Sequence, residues 1–226
     1  MERIDINMDA FMRMHQIKPT VVHLHKNKIY KRSPETLPIV NVINSLRNEQ
    51  PFKHIALPEA YLYDKEQYFG YVMKYYKKLK QVNNAIKSGI IKDIEQFSLE
   101  LLQIIDKLNK LNLCYWDFHF ENVYSDKQGH PFILDTDDME YFPSNEDLHN
   151  QREYLTEFLL CMYLEKRKSV HAFAREEAIQ KYFKDKTLMY IDSLGNLQYP
   201  APDLPYCIIE ELHDKEKRDM IKSKIK

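Results

Sequence analysis

The chain has 226 residues, 44% of them hydrophobic and 30% charged, with a formal net charge of −1. That balance excludes low-complexity disorder over most of the length, and the near-zero charge excludes the basic field that drives non-specific nucleic-acid binding. The length suits one large domain or two small lobes with separate cores.

No internal repeat is present. The first clear periodicity is TVVHLHKNKIYKR, residues 20–32, where apolar residues alternate on both sides of Lys26-Asn27; this predicts a β-hairpin. Residues 34–48 carry apolar residues at helical spacing, with Ser33 placed to cap them. Two strand-like runs follow, Ile55–Tyr63 and Tyr68–Met73. Lys74–Lys80 is a charged, tyrosine-rich connector. A long amphipathic helix is expected over residues 92–111, with Ile94, Phe97, Leu101, Ile104, Ile105, Leu108 and Leu111 on one stripe and Asp93 and Glu95 in its first turn.

Two short strands, Val123–Ser125 and Phe132–Leu134, are joined by the turn Asp126-Lys127-Gln128-Gly129. Residues 145–166 and 170–184 carry helical patterns. Residues 186–206 hold a turn at Ser193–Asn196 and a proline-rich loop, and Glu210–Lys226 is a charged helix or frayed tail. Strands with one helix, then a connector, then mostly helices with one hairpin make an α+β chain in two lobes. The expected division is 1–74, 75–80 and 81–226.

The segment Leu113–Tyr141 carries the chemistry. Asp117 closes the loop after the long helix, Asn122 lies five residues later at a strand edge, and Asp135 lies eighteen residues after Asp117, beyond the second strand. Phosphoryl transfer needs positioning and charge neutralisation around phosphates more than covalent help. Magnesium prefers hard oxygen donors, so a carboxylate and an amide oxygen serve it beside the phosphates themselves. Taken singly, Asp117 also reads as a turn cap, Asn122 as a loop residue and Asp135–Asp138 as a solvated acidic turn.

An Asp-x4-Asn, then a hairpin, then an Asp resembles the catalytic and metal-binding loops of the protein-kinase-like superfamily. Asp-Phe-His-Phe-Glu-Asn, with His119 two residues after Asp117, and Leu134-Asp135-Thr136-Asp137 are similar to the aminoglycoside-phosphotransferase and choline-kinase branch. The resemblance spans roughly residues 20–165 and is specific in 113–141. It implies a small antiparallel β-sheet lobe that binds nucleotide and a mainly helical lobe with a hairpin at the cleft. It further implies ATP and Mg2+ as cofactors and a hydroxyl acceptor, on a small molecule or a protein Ser/Thr. Asp117 would be the base. Asn122 and Asp135, with Asp137, would hold the metal, and Lys31 would meet the phosphates. Ile29, on the face of Lys31, would touch the adenine. Backbone groups near Met73–Tyr75 would bind the adenine edge. His119 would either contact phosphate or serve as a packed, hydrogen-bonded loop residue.

Departures are also legible. No glycine precedes Gly70, so a G-x-G-x-x-G loop is excluded; either another loop in residues 8–20 covers the nucleotide or binding is weak. Glu35 is the only acid near the helix that should pair with Lys31. Tyr115 stands where the branch has histidine, and its hydroxyl can brace the loop. The C-lobe, residues 81–226, is short for a full acceptor-binding subdomain, and no Ala-Pro-Glu motif follows Asp138. These departures define a second expectation, a pseudokinase acting as a nucleotide-binding or regulatory module. A third is a soluble interaction protein with no such cleft.

The three cysteines, Cys114, Cys161 and Cys207, are scattered and odd in number, which fits reduced thiols and a cytoplasmic setting. Residues 1–16 hold no apolar core, so no secretory leader is expected. No run approaches 18 apolar residues, so no membrane partner is expected either.

Overall fold

A computed structural model describes residues 1–18, 21–48, 52–165, 190–191, 197–198 and 204–224. The chain opens with β1 (Glu2–Asp5), α1 (Met8–Met12), β2 (His15–Lys18), β3 (Val22–His25) and β4 (Lys28–Arg32). A 3-10 turn, Pro34–Thr36, leads into α2 (Leu37–Leu46), and a second, Phe52–His54, precedes β5 (Pro58–Asp64) and β6 (Gln67–Lys74). Next come β7 (Lys80–Gln81), α3 (Val82–Lys87), α4 (Ile94–Lys110), β8 (Leu113–Tyr115), β9 (Val123–Ser125), β10 (Pro131–Ile133), β11 (Met139–Tyr141) and α5 (Asn145–Tyr163). The short pair β12 (Tyr190–Ile191) and β13 (Leu197–Gln198) precedes α6 (Leu204–His213) and α7 (Lys215–Lys224). The architecture is mixed α+β. The helix expected over 170–184 and the turn at Ser193–Asn196 lie outside the described residues.

Six strands form one sheet in the order β1-β5-β6-β4-β3-β2. Only β1 runs parallel to its neighbour; the remaining pairs are antiparallel. The β3–β4 hairpin turns on Lys26 and Asn27, whose φ angles of 47° and 62° are the left-handed pair that matches strand twist. A register shift between Leu62 and Tyr63 leaves Phe69 as an extra residue in β6. That bulge moves Tyr68 onto the face of Tyr61 and Tyr71, while Phe69 joins Ala60, Leu62 and Val72 on the other.

The second face is covered by α1 through the fully buried Phe11, which forms a small core with Ala60, Leu62, Phe69 and Val72. Of residues 8–20, helix α1 does not cover the Lys31 face: it lies against the Tyr30 face, where Phe11, with Met8 and Met12, has its partners; residues 19 and 20 are not described. Ser33 also departs from expectation. It makes no capping bond to the 3-10 turn, and its hydroxyl serves a carboxylate instead.

The larger core joins α4, α5 and α6 around Phe97, Leu101, Leu108, Phe158, Leu159, Ile208 and Leu212. Asp93 caps α4, its carboxylate accepting from the Gln96 N–H at 3.0 Å, which is worth about 1 kcal/mol. Ser144 and Asp147 form a capping box on α5. Helix α6 begins at Leu204, inside the expected proline-rich loop, and buries Ile208, Ile209 and Leu212. Among the described residues no helix is long and apolar enough to cross a membrane.

Candidate functional site

Two parts of the chain meet at a cluster of carboxylates. From the sheet come Lys31 on β4 and Tyr71 on β6, directly opposite one another in the antiparallel register and therefore on one face. From the other side comes the segment after β10. The Leu134 N–H donates to the Asn122 carbonyl at 2.9 Å, which fixes where the chain leaves the hairpin and enters the site.

The Lys31 ammonium donates to both oxygens of Asp135, at 2.8 and 2.7 Å, and lies 2.8 Å from Asp137 Oδ2. Tyr71 donates its hydroxyl to Asp137 Oδ1 at 2.5 Å. Ser33 Oγ lies 2.7 Å from Asp137 Oδ2 and 3.1 Å from Glu35 Oε1; its single hydrogen serves one of them at a time. The Asp137 N–H donates to Asp135 Oδ1 at 3.2 Å.

The second half of the cluster is the loop after β8. Tyr115 is fully buried and donates its hydroxyl to the Asp117 carbonyl at 2.9 Å. Gln151 of α5 donates to the Tyr115 carbonyl at 3.0 Å and accepts from Asn109 of α4 at 3.0 Å, so two helices brace the strand that delivers the loop. Asn122 Nδ2 donates to Asp117 Oδ2. His119 Nε2 lies 3.3 Å from the same oxygen. The Glu121 N–H donates to His119 Nδ1 at 3.1 Å, which leaves the neutral ring's hydrogen on Nε2, facing Asp117.

Electrostatics follow from this packing. Burial opposes the Lys31 charge, but Asp135 and Asp137 outweigh it and raise Lys31 above its ordinary value. Partial burial also opposes ionisation of Asp117, yet hydrogen bonds from His119 and Asn122 prevail and hold its carboxyl below the ordinary value. The hydrogen bond to Asp117 raises His119. Asp138 moves the other way: partial burial, then the charges of Asp117, Asp135 and Asp137, push it up. Burial and the Asp137 charge carry the Tyr71 hydroxyl well above its ordinary range. Lys31 thus pairs with Asp135 and Asp137, while Asp117 and Asp138 add two further carboxylates to the cluster.

Of the residues expected from sequence, the structure brings Lys31, Asp135 and Asp137 together, and separately Asp117, Asn122 and His119. Ile29 pairs with Met73 across β4 and β6, on the Lys31 face. Three expectations change. Glu35 hydrogen-bonds Ser33, while Lys31 is paired with Asp135 and Asp137, the acids within its reach. The Tyr75 N–H donates to the Asn27 carbonyl at 3.1 Å and is not free for a ligand. Asp137 is already held by Lys31, Ser33 and Tyr71, so it anchors the cluster rather than offering an open oxygen pair to a metal.

Ser33 and Tyr71 join the site without a signal in their local sequence. Tyr71 is placed by the β4–β6 register opposite Lys31, and Ser33 lies just past the end of β4.

No family model matches the chain, and no curated protein matches it at a significant level.

Proposed function

We propose that the chain is a small two-lobed phosphotransferase of the protein-kinase-like superfamily, nearest the aminoglycoside-phosphotransferase and choline-kinase branch. It would use ATP and Mg2+ to phosphorylate a hydroxyl on a small molecule or a protein Ser/Thr. The observation that carries the proposal is the meeting of Lys31, from the sheet, with Asp135, from the hairpin, beside the Asp117–Asn122 loop.

In this reading residues 1–74 form the nucleotide lobe, 75–80 the connector and 81–226 the catalytic lobe. Lys31 would meet the phosphates. Asp117, kept ionised by its depressed titration, would orient the acceptor hydroxyl and take its proton. The donor set suits Mg2+: an Asp135 carboxylate and an Asn122 amide oxygen are hard ligands, and the surplus of carboxylates favours a divalent cation. Among the described residues no three His, Cys, Asp or Glu side chains are spaced to hold an ion unaided. Phosphate oxygens would have to complete the shell, as magnesium–nucleotide sites ordinarily require.

The test is direct. Purified protein with Mg2+ and radiolabelled ATP, alone and with a panel of alcohols and Ser/Thr peptides, should transfer phosphate. Asp117→Asn and Asp135→Asn should each reduce transfer by on the order of 100-fold or more. Unchanged transfer in both variants would remove the proposal.

The missing glycine loop favours a second reading, a pseudokinase. Mg-ATP would then raise the melting temperature by mass action with no turnover on any acceptor.

A further inference from the structure

A separate cleft of about 500 Å3 lies behind the connector, lined by the Asn27 turn, by Lys74, Tyr75, Tyr76, Lys77, Lys78 and Leu79, and by Asp126, Lys127 and Gln128. None of Lys31, Asp117, Asn122 or Asp135 lines it. Three backbone features shape it. The Tyr75 N–H bonds the Asn27 carbonyl on one side. Strand β7 pairs with β9 through Lys80↔Ser125 on the other. The turn Asp126–Gly129 forms the far rim, with Gly129 at φ +97°.

Its charge is one-sided. Four lysines, Lys74, Lys77, Lys78 and Lys127, surround it, and none of them forms an ion pair with a carboxylate among the described residues. The one acid present, Asp126, is committed to its own turn: its Oδ1 accepts from the Gln128 and His130 N–H groups, both at 2.9 Å. Tyr76 supplies a flat wall, fixed by its ring contact with Phe132 at 4.8 Å and carrying the Lys74 ammonium at 5.6 Å from its centroid. Like charges gathered on two separate segments, the connector and the β9–β10 turn, repel one another unless an anion sits between them.

We infer that this cleft binds a small polyphosphorylated ligand of nucleotide size. The volume falls in the range of small-molecule sites. Four lysines line one concavity, as a multiply charged anion requires, and the Tyr76 ring forms part of its wall. Such a ligand bridges the β3–β4 turn, the connector and the β9–β10 turn, and so ties the sheet to the helical part in a cleft that Lys31 does not line.

Calorimetry with metal-free inorganic tripolyphosphate, at low salt and with the full chain, tests the inference. Wild type should bind, and the double variant Lys78→Glu/Lys127→Glu should bind at least tenfold more weakly. Lys31→Ala should bind as wild type does. The control Lys110→Glu/Lys215→Glu, which changes net charge equally on exposed residues elsewhere, should also leave binding unaltered. An unchanged melting temperature checks that both charge-reversal pairs are folded, and Lys31→Ala is measured below its own melting transition. Absence of binding to wild type overturns the inference, as does equal loss in the control pair, which would mean a diffuse charge effect. Loss confined to Lys31→Ala overturns it too, while leaving the proposed phosphotransferase site standing. Displacement of bound tripolyphosphate by ADP supports a nucleotide-sized ligand; displacement by a poly-glutamate peptide at lower concentration than by ADP counts against one.

Discussion

Lys31 and Asp135 stand 104 positions apart in the chain and form a two-point ion pair at 2.8 and 2.7 Å. One belongs to the middle of a sheet and the other to the exit of a hairpin. The Lys31 side chain is only 13% exposed, so water screens the pair weakly. This contact makes the position of the sheet face depend on the charge state of the hairpin exit. The predictions below follow from it and from the residues that hold it.

Gly70 lets β6 approach β4 closely at this point. A Cβ added there would stand 2.0 Å from the Lys31 carbonyl oxygen, an overlap with backbone that no side-chain rotation relieves. Gly70→Ala should therefore push the strands apart and cost on the order of 3 kcal/mol, read as a lower denaturant midpoint. The same change at Gly89, which has nothing within 4 Å of its added Cβ but a φ of +68°, should cost only about 1 kcal/mol. Equal losses at both sites would contradict the strand-contact argument.

Tyr71 is fully buried, and its hydroxyl bonds a carboxylate that Lys31 also contacts. Tyr71→Phe removes the donor and leaves the ring in place. A hydrogen bond to a charged group is worth about 1.5–3 kcal/mol, and a loss of that size in chemical denaturation is expected. Ser33→Ala should lose less, since its hydroxyl divides its time between Asp137 and Glu35. A neutral Tyr71→Phe would show that Lys31 and Ser33 anchor Asp137 without the tyrosine hydroxyl.

His119 offers a pH-dependent reading of the Asp117 loop. Its folded value is raised, first by the hydrogen bond to Asp117. Its contribution to stability is therefore complete below the unfolded value of about 6.5 and is lost as pH climbs through the higher folded value. The ring is partly exposed, so the gain should stay below about 1 kcal/mol. NMR titration should find His119 above 6.5 in wild type and lower in Asp117→Asn. A titration unchanged by that substitution would show that the pair does not form in solution.

Much of the fold was readable from local pattern. Alternation about Lys26-Asn27 gave β3 and β4, the apolar stripe from Ile94 to Leu108 gave α4, and the Asp126–Gly129 turn gave β9 and β10. Strand β1 and helix α1 were not readable, because a five-residue helix and a four-residue edge strand hold too few repeats to establish a period, and each is stabilised by distant partners in β5 and β6. The site divides the same way. Asp117, Asn122 and Asp135 share one short segment and could be grouped from spacing. Tyr71 could not be attached to Asp137 without the β4–β6 register, since 66 residues separate them. Ser33 reads locally as a helix cap; the stronger demand of a charged Asp137 carboxylate, 104 residues away, overrides that preference.

The Lys31–Asp135 pair gives opposite predictions for a metal alone and for a metal with nucleotide. The Lys31 ammonium occupies both Asp135 oxygens, the same atoms a divalent ion would use. Lys31→Met removes a competing positive charge from a site with four carboxylates, so Mn2+ alone should bind several-fold more tightly. The same substitution removes the cation proposed to meet the phosphates, so Mg-ATP should bind about tenfold more weakly or worse. Water-proton relaxation with Mn2+ measures the first effect and calorimetry with Mg-ATP the second, both below the melting transition of the variant. That transition should itself fall, because Asp135 and Asp137 would face each other without the shared ammonium. If both affinities fell together, Lys31 would be a structural support for the cluster and not a group that yields Asp135 to a metal when phosphate arrives.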